Sequence, residues 1–293
     1  MSGAPRVYGL SQQMAGYAAA VGAAVLMGLL GVFVRRTSSG EAVVAFARFG
    51  IGLVFFAMLL AATGNLGAIK IKLSASIIFS GLFLALCVLC YHAAINRTSL
   101  ANAAFLLYLG PLLATGLGMI VLGERLSLIT GALLASAFLG FSLLLEFRFS
   151  TRAAGSSGNW YGLLSGAFYA LFITANKRIP HEVPVAGRTF YQLLFSGIAT
   201  LPLAGMSGTR ISFMDLGWLS AIGLLHGFLA ITLLVGAIKY LRVFEFSLIS
   251  YLEPVIAAVA GIVFWSEPLS LLQASGAILI ILSNLAQLLF VRE

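Results

Sequence analysis

Runs of about 20 predominantly apolar residues follow one another along the whole chain, separated only by short polar stretches. As a helix, each is long enough to cross about 30 Å of hydrocarbon. Inside a bilayer no water satisfies backbone N–H and C=O groups, so only helices and closed barrels span it. The runs are continuous and lack the apolar–polar alternation of barrel strands, so an all-α integral membrane fold is predicted. Only 9% of the 293 residues are charged, against about 25% in soluble domains, which leaves almost no chain for a soluble domain. The net charge of +8 does not point to nucleic acid. The basic residues stand singly or in pairs between apolar runs, where they report topology and contact with anionic lipid.

The runs predict ten transmembrane helices, at about 14–34, 42–62, 74–95, 100–122, 127–146, 159–177, 185–205, 216–238, 243–265 and 270–290. The first, from about Met14, can span and is followed by Arg35-Arg36, so it is read as a retained helix and not as a cleaved signal. The polar stretch from Ser150 to Asn159 separates a first five-helix unit (1–149) from a second (159–293), with 150–158 as linker. Arg6, Lys70, Lys72, Arg125, Lys177, Arg178, Lys239, Arg242 and Arg292 fall on one side; Arg35, Arg36, Arg97, Arg148, Arg152 and Arg210 fall on the other. The excess places both termini in the cytoplasm, in a cell inner membrane.

The halves are copies. At an offset of about 143 residues, Ala94/Ala237, Ile95/Ile238, Tyr108/Tyr251, Leu109/Leu252, Pro111/Pro254, Ala114/Ala257, Gly118/Gly261, Glu124/Glu267, Leu126/Leu269 and Ser127/Ser270 are identical. Apolar composition does not put Tyr, Pro, Glu and Ser in register. An odd number of spans per half turns the second copy over, giving two inverted five-helix repeats. The opening spans share a stripe of small residues, Gly16, Ala20, Ala24 and Gly28 in one and Gly158, Gly162, Gly166 and Ala170 in the other. Such a stripe lets a neighbouring backbone approach closely, for static packing or for sliding.

The stretch from Tyr91 to Pro111, continuing to Leu122-Gly-Glu-Arg-Leu-Ser127, resembles the ten-helix exporter branch of the drug/metabolite transporter superfamily. The second half repeats the pattern with Ala237-Ile-Lys-Tyr240, Tyr251-Leu-Glu-Pro254 and Ser266-Glu-Pro-Leu-Ser270. In size and general pattern the chain is similar to the aromatic amino-acid exporters of the YddG type. The resemblance implies a basket of helices exporting amino acids, metabolites or drugs. The first, third and fourth helices of each half would line its cavity, and the fifth would pack at the periphery. It also implies a secondary carrier, and the chain has no Gly-x4-Gly-Lys-Ser/Thr phosphate loop.

Polar groups at membrane depth are costly and are functional candidates by default. Glu245 and Glu253 replace Asn102 and Gly110 of the first repeat, so carboxylates have been added to one half. Either suits a substrate ammonium or a coupled proton; Glu245 is alternatively a solvated partner of Arg242. His92 and His226 suit proton relay or carboxylate binding, or are buried neutral rings bonded to a neighbour. Tyr91, Tyr108, Tyr169 and Tyr251 offer hydroxyls and π-faces to an aromatic or cationic substrate. Asn102 and Asn176 could bind a zwitterion or cross-link helices. Glu245, Glu253 and His226 are thus the coupling candidates, and Pro111 and Pro254, which free the carbonyls of Leu107 and Ser250, the hinges. Arg48 and Arg188 suit a substrate carboxylate, although snorkelling to the interface is the commoner fate. Glu124, Ser127, Glu267 and Ser270 read as punctuation of helix turns, the serines as caps. Cys87 and Cys90 read as small apolar residues.

The expected function is export of small amphipathic solutes, above all aromatic or neutral amino acids, by alternating access. A proton-coupled multidrug or other metabolite exporter of the same fold is the alternative. Glu253→Gln is expected to cripple the proton- or cation-coupled version and barely to affect a carrier of neutral zwitterions. No catalytic residue, metal or cofactor is expected. The partners are a small-molecule substrate and the bilayer, and a duplicated chain can build its cavity as a monomer.

Overall fold

The computed structural model describes residues 9–148, 157–208 and 211–290. Arg6, Arg152, Arg210, Arg292 and most of the expected linker lie outside the described residues. The described residues contain no strand. Their long helices are α1 (Leu10–Val34), α2 (Glu41–Ala62), α3 (Ala75–Ile95), α4 (Leu100–Leu122), α5 (Leu128–Leu144), α6 (Ser157–Arg178), α7 (Val185–Met206), α8 (Phe213–Tyr240), α9 (Val243–Trp265) and α10 (Leu271–Phe290). Seven of these, α1 to α4 and α8 to α10, are long and apolar enough to cross a membrane; α5 is apolar and shorter.

The ends follow from local chemistry. Ser99, Ser127 and Ser212 cap α4, α5 and α8, each hydroxyl accepting the backbone N–H three residues on. At α10, Ser270 accepts from the Gln273 N–H while the Gln273 side chain accepts from the Ser270 N–H, a closed capping box. Gly123 and Ser266, both left-handed, end α4 and α9.

The packing obeys a two-fold exchange. α3 lies against α6 as α8 lies against α1, and α4 lies against α6 as α9 lies against α1. α3 against α7 mirrors α8 against α2, while α5 packs on α10, α2 on α7 and α4 on α9. The two small-residue stripes sit in equivalent seams. A Cβ on Gly16 would meet Tyr240 and Leu241 at the end of α8, and one on Gly158 would meet Arg97 and Thr98 at the end of α3. Towards the middle, Gly28 abuts the Glu253 carbonyl on α9, and Gly166 abuts the Leu106 carbonyl on α4.

Four of the helices are broken. α4 and α9 are interrupted at Tyr108 and Tyr251, each next to a carbonyl that proline leaves without its N–H. α2 and α8 each contain a π turn, at Ala47–Ile51 and Gly223–Leu229. The two π turns face each other, with Gly52, Gly223 and Gly227 between them. This seam was not legible in the repeat pattern.

Candidate functional site

Glu253 stands at the middle of α9, just after the break at Tyr251. Its carboxylate lies within electrostatic reach of the Tyr108 hydroxyl on α4 and of Arg48 on α2. Tyr91 on α3 and Tyr169 on α6 are in the same field. Arg48, Tyr91, Tyr169 and Glu253 all retain accessible surface although they lie deep among the helices. They stand on α2, α3, α6 and α9. A cation and an anion thus share one interior region with three phenol rings.

Arg48 is held there, not drawn to the interface as snorkelling would have it. It sits inside the π turn of α2. Its Nε donates to the His226 carbonyl at 3.3 Å and Nη2 contacts the Met27 sulfur at 2.7 Å. A π turn leaves a carbonyl without its usual helical donor, and the guanidinium fills that role while keeping donors for another acceptor. His226 itself is 0% exposed, and its ring packs edge-on against Phe33 at 4.9 Å with neither nitrogen in a hydrogen bond of good geometry. It supports Arg48 through its carbonyl and has no accessible surface for a substrate here.

Of the other expected residues, Tyr251 joins the cluster from below. It is fully buried, and its hydroxyl donates to the carbonyl of its own repeat counterpart, Tyr108, at 2.9 Å. His92, half-buried at the end of α3, lies within reach of Arg48, with Nδ1 lacking a hydrogen bond. Pro111 and Pro254 flank the breaks that carry Tyr108 and Tyr251. Three residues lie elsewhere. Asn102 donates to Thr98 at 3.1 Å and reaches Asn159 of α6 at 3.5 Å. Asn176 donates to the Phe172 carbonyl and accepts from Gln192 of α7 at 2.7 Å. Glu245 is buried, accepting from Gln13 at 3.1 Å, Tyr17 at 2.9 Å and the Arg242 backbone N–H at 2.7 Å. It caps α9 and ties it to α1.

Arg188 is 2% exposed and departs furthest from the snorkelling expectation. It donates to the carbonyls of Asn176, Ile179, Pro180 and Val183, closing the C-terminal end of α6. Arg188→Ala orphans several buried carbonyls. It is expected to destabilise the protein by about 2–3 kcal/mol while leaving ligand affinity unchanged, as thermal unfolding and binding of the purified variant would show.

Comparison with known proteins places the chain in a family of transporters. The profile of the EamA-like transporter family matches the chain twice, at residues 14–146 and 156–286. A transporter of uncharacterised role from Archaeoglobus fulgidus is 30% identical over 266 residues, covering 91% of this chain and 93% of that protein. The pseudopaline exporter CntI of Pseudomonas aeruginosa is 25% identical over 277 residues, with the same coverage. A crystal structure sharing 20% identity superposes with a TM-score of 0.81 over 97% of this chain and 99% of the other, a likeness of fold. With two family matches, one per half, and a 30% identical transporter aligned over nearly its whole length, the chain belongs to the EamA-like transporter family.

Proposed function

We propose that the protein exports small zwitterionic, amphipathic solutes, amino acids with aromatic or neutral side chains foremost, by alternating access. The observation that carries this reading is the grouping of Arg48 and Glu253 with the phenols of Tyr91, Tyr108 and Tyr169 in one electrostatic neighbourhood. A guanidinium suits a carboxylate, a carboxylate suits an ammonium, and the phenol rings suit an apolar or aromatic body. All ten helices α1 to α10 cross the membrane as two inverted repeats, with both termini in the cytoplasm of a cell bounded by this inner membrane. The matched packing pairs support that symmetry, and the Lys/Arg bias supports the orientation. The chain works as a monomer, without cofactor and without covalent chemistry.

A second reading, proton-coupled export of cationic drugs or other metabolites, draws on the same enclosed carboxylate of Glu253 and on the kinship with a pseudopaline exporter. Counterflow separates the two. Proteoliposomes loaded with unlabelled phenylalanine are expected to accumulate labelled phenylalanine without a pH gradient. Failure to exchange any amino acid, together with gradient-driven movement of a cationic drug, overturns the first reading in favour of the second.

A further inference from the structure

Glu124 does more than punctuate a turn. Its carboxylate accepts the backbone N–H of Val243, the first residue of α9, at 3.0 Å through both oxygens. The repeat counterpart of that contact is Glu267 on Leu100, the first residue of α4. It is not made. Glu267 pairs instead with Arg35 at 3.0 Å, both side chains about half-exposed.

The difference does not lie in the turns themselves. The Glu124 N–H reaches back to the Gly118 carbonyl at 3.1 Å and the Glu267 N–H to the Gly261 carbonyl at 3.2 Å, each after a left-handed residue. It lies in the helices they face. The first half of α9, Val243–Ser250, is buried throughout and packs on the second half of α4. The first half of α4, Leu100–Leu107, buries only Asn102 and Ala103 and has no packing of comparable extent on the second half of α9. Val243 is 0% exposed and Leu100 is 59% exposed. Two copies of one hairpin have taken two positions, so the bundle is shut at the end where α9 begins and splayed where α4 begins.

We propose that Glu124 and Glu267 are alternating latches of the transport cycle. Glu124 on the start of α9 holds one end shut, as here; Glu267 on the start of α4 holds the other end shut in the exchanged state. This rests on the reading above of alternating access by two inverted repeats. Tyr108 and Tyr251 are the pivots. Tyr251 donates to the Tyr108 carbonyl at 2.9 Å while Tyr108 lies in the field of Glu253, so one tyrosine of the pair is bonded to its twin and the other borders the site.

The test reads accessibility and needs no substrate, so an error in the substrate assignment leaves it intact. In a background lacking Cys87 and Cys90, single cysteines replace Val243 or Leu100, and a membrane-impermeant maleimide labels the protein in nanodiscs. Labelling is expected to be slow at Val243→Cys and fast at Leu100→Cys. Adding Glu124→Ala leaves the Val243 N–H buried without an acceptor in the present state. The Val243→Cys rate should rise about tenfold and the Leu100→Cys rate fall. Adding Glu267→Ala as well removes the second latch and should restore labelling of Leu100→Cys. Unchanged rates with Glu124→Ala, or no restoration in the double variant, overturn the proposal. Normal counterflow alongside such a result would leave the transport reading standing.

Discussion

Gly227→Ala is expected to abolish most of the folded protein. A Cβ at this position would run into the Arg48 carbonyl oxygen and lie 2.8 Å from the carbonyl carbon and 3.2 Å from the Cα of Gly52. All three are backbone atoms of α2. No rotamer change relieves the clash, so the two π turns must separate. Overpacking that side chains can absorb costs about 1–3 kcal/mol; here the cost lies at or above the upper end. Separation also breaks the Arg48 to His226 carbonyl bond, which leaves an orphaned guanidinium beside an unpaired π-turn carbonyl. The expected result is loss of the monodisperse peak in detergent size exclusion and a large fall in the midpoint of thermal unfolding. Gly116→Ala is the control. Nothing lies within 4 Å of its Cβ, so reduced backbone freedom should stabilise α4 by about 0.5–1 kcal/mol. A normal peak and melt for Gly227→Ala would mean that the π turns are not held by direct backbone contact.

Most of this seam was beyond the reach of the sequence. Hydropathy gives the positions of helices within a few residues, because a run of about 20 apolar residues has few other uses. Register between repeats singles out Tyr108, Tyr251, Pro111, Pro254 and the added carboxylate of Glu253, because selection for polar groups in an apolar background leaves them aligned. Tyr91, Tyr169 and Glu253 come into one electrostatic neighbourhood because each sits on a helix that the duplication marks. Arg48 was legible as a cation suited to a substrate carboxylate, but its surroundings were not. Its partner carboxylate comes from the other half of the chain, and its anchor is a carbonyl freed by a π turn, a backbone event with no residue signature. The same is true of Glu124. Its carboxylate recognises a backbone N–H, and backbone groups look alike in every sequence. Asn102, Asn176 and Glu245 resemble site residues by type and depth; only the identity of the facing helix shows that they join helices to one another.

Glu253→Gln keeps the shape of the side chain and removes its charge. Sequence alone suggested little effect on a carrier of neutral zwitterions. The position of Arg48 reverses that expectation, because the site then presents a pair of opposite charges and a zwitterion meets both. Removing the carboxylate that would hydrogen-bond the bound ammonium costs about 2–5 kcal/mol. Binding of a zwitterion should therefore weaken by about thirtyfold or more. An analogue without the ammonium group should bind no worse than before. The variant should also be less stable, because Arg48 is left as an uncompensated interior cation. Combining Glu253→Gln with Arg48→Met removes both charges. The double variant is expected to regain thermal stability relative to Glu253→Gln and to bind neither the zwitterion nor the analogue. This non-additivity separates a charge pair used by the substrate from one used only to hold helices together. A purely structural pair would let the double variant recover both stability and counterflow, and Glu253 and Arg48 would then leave the site.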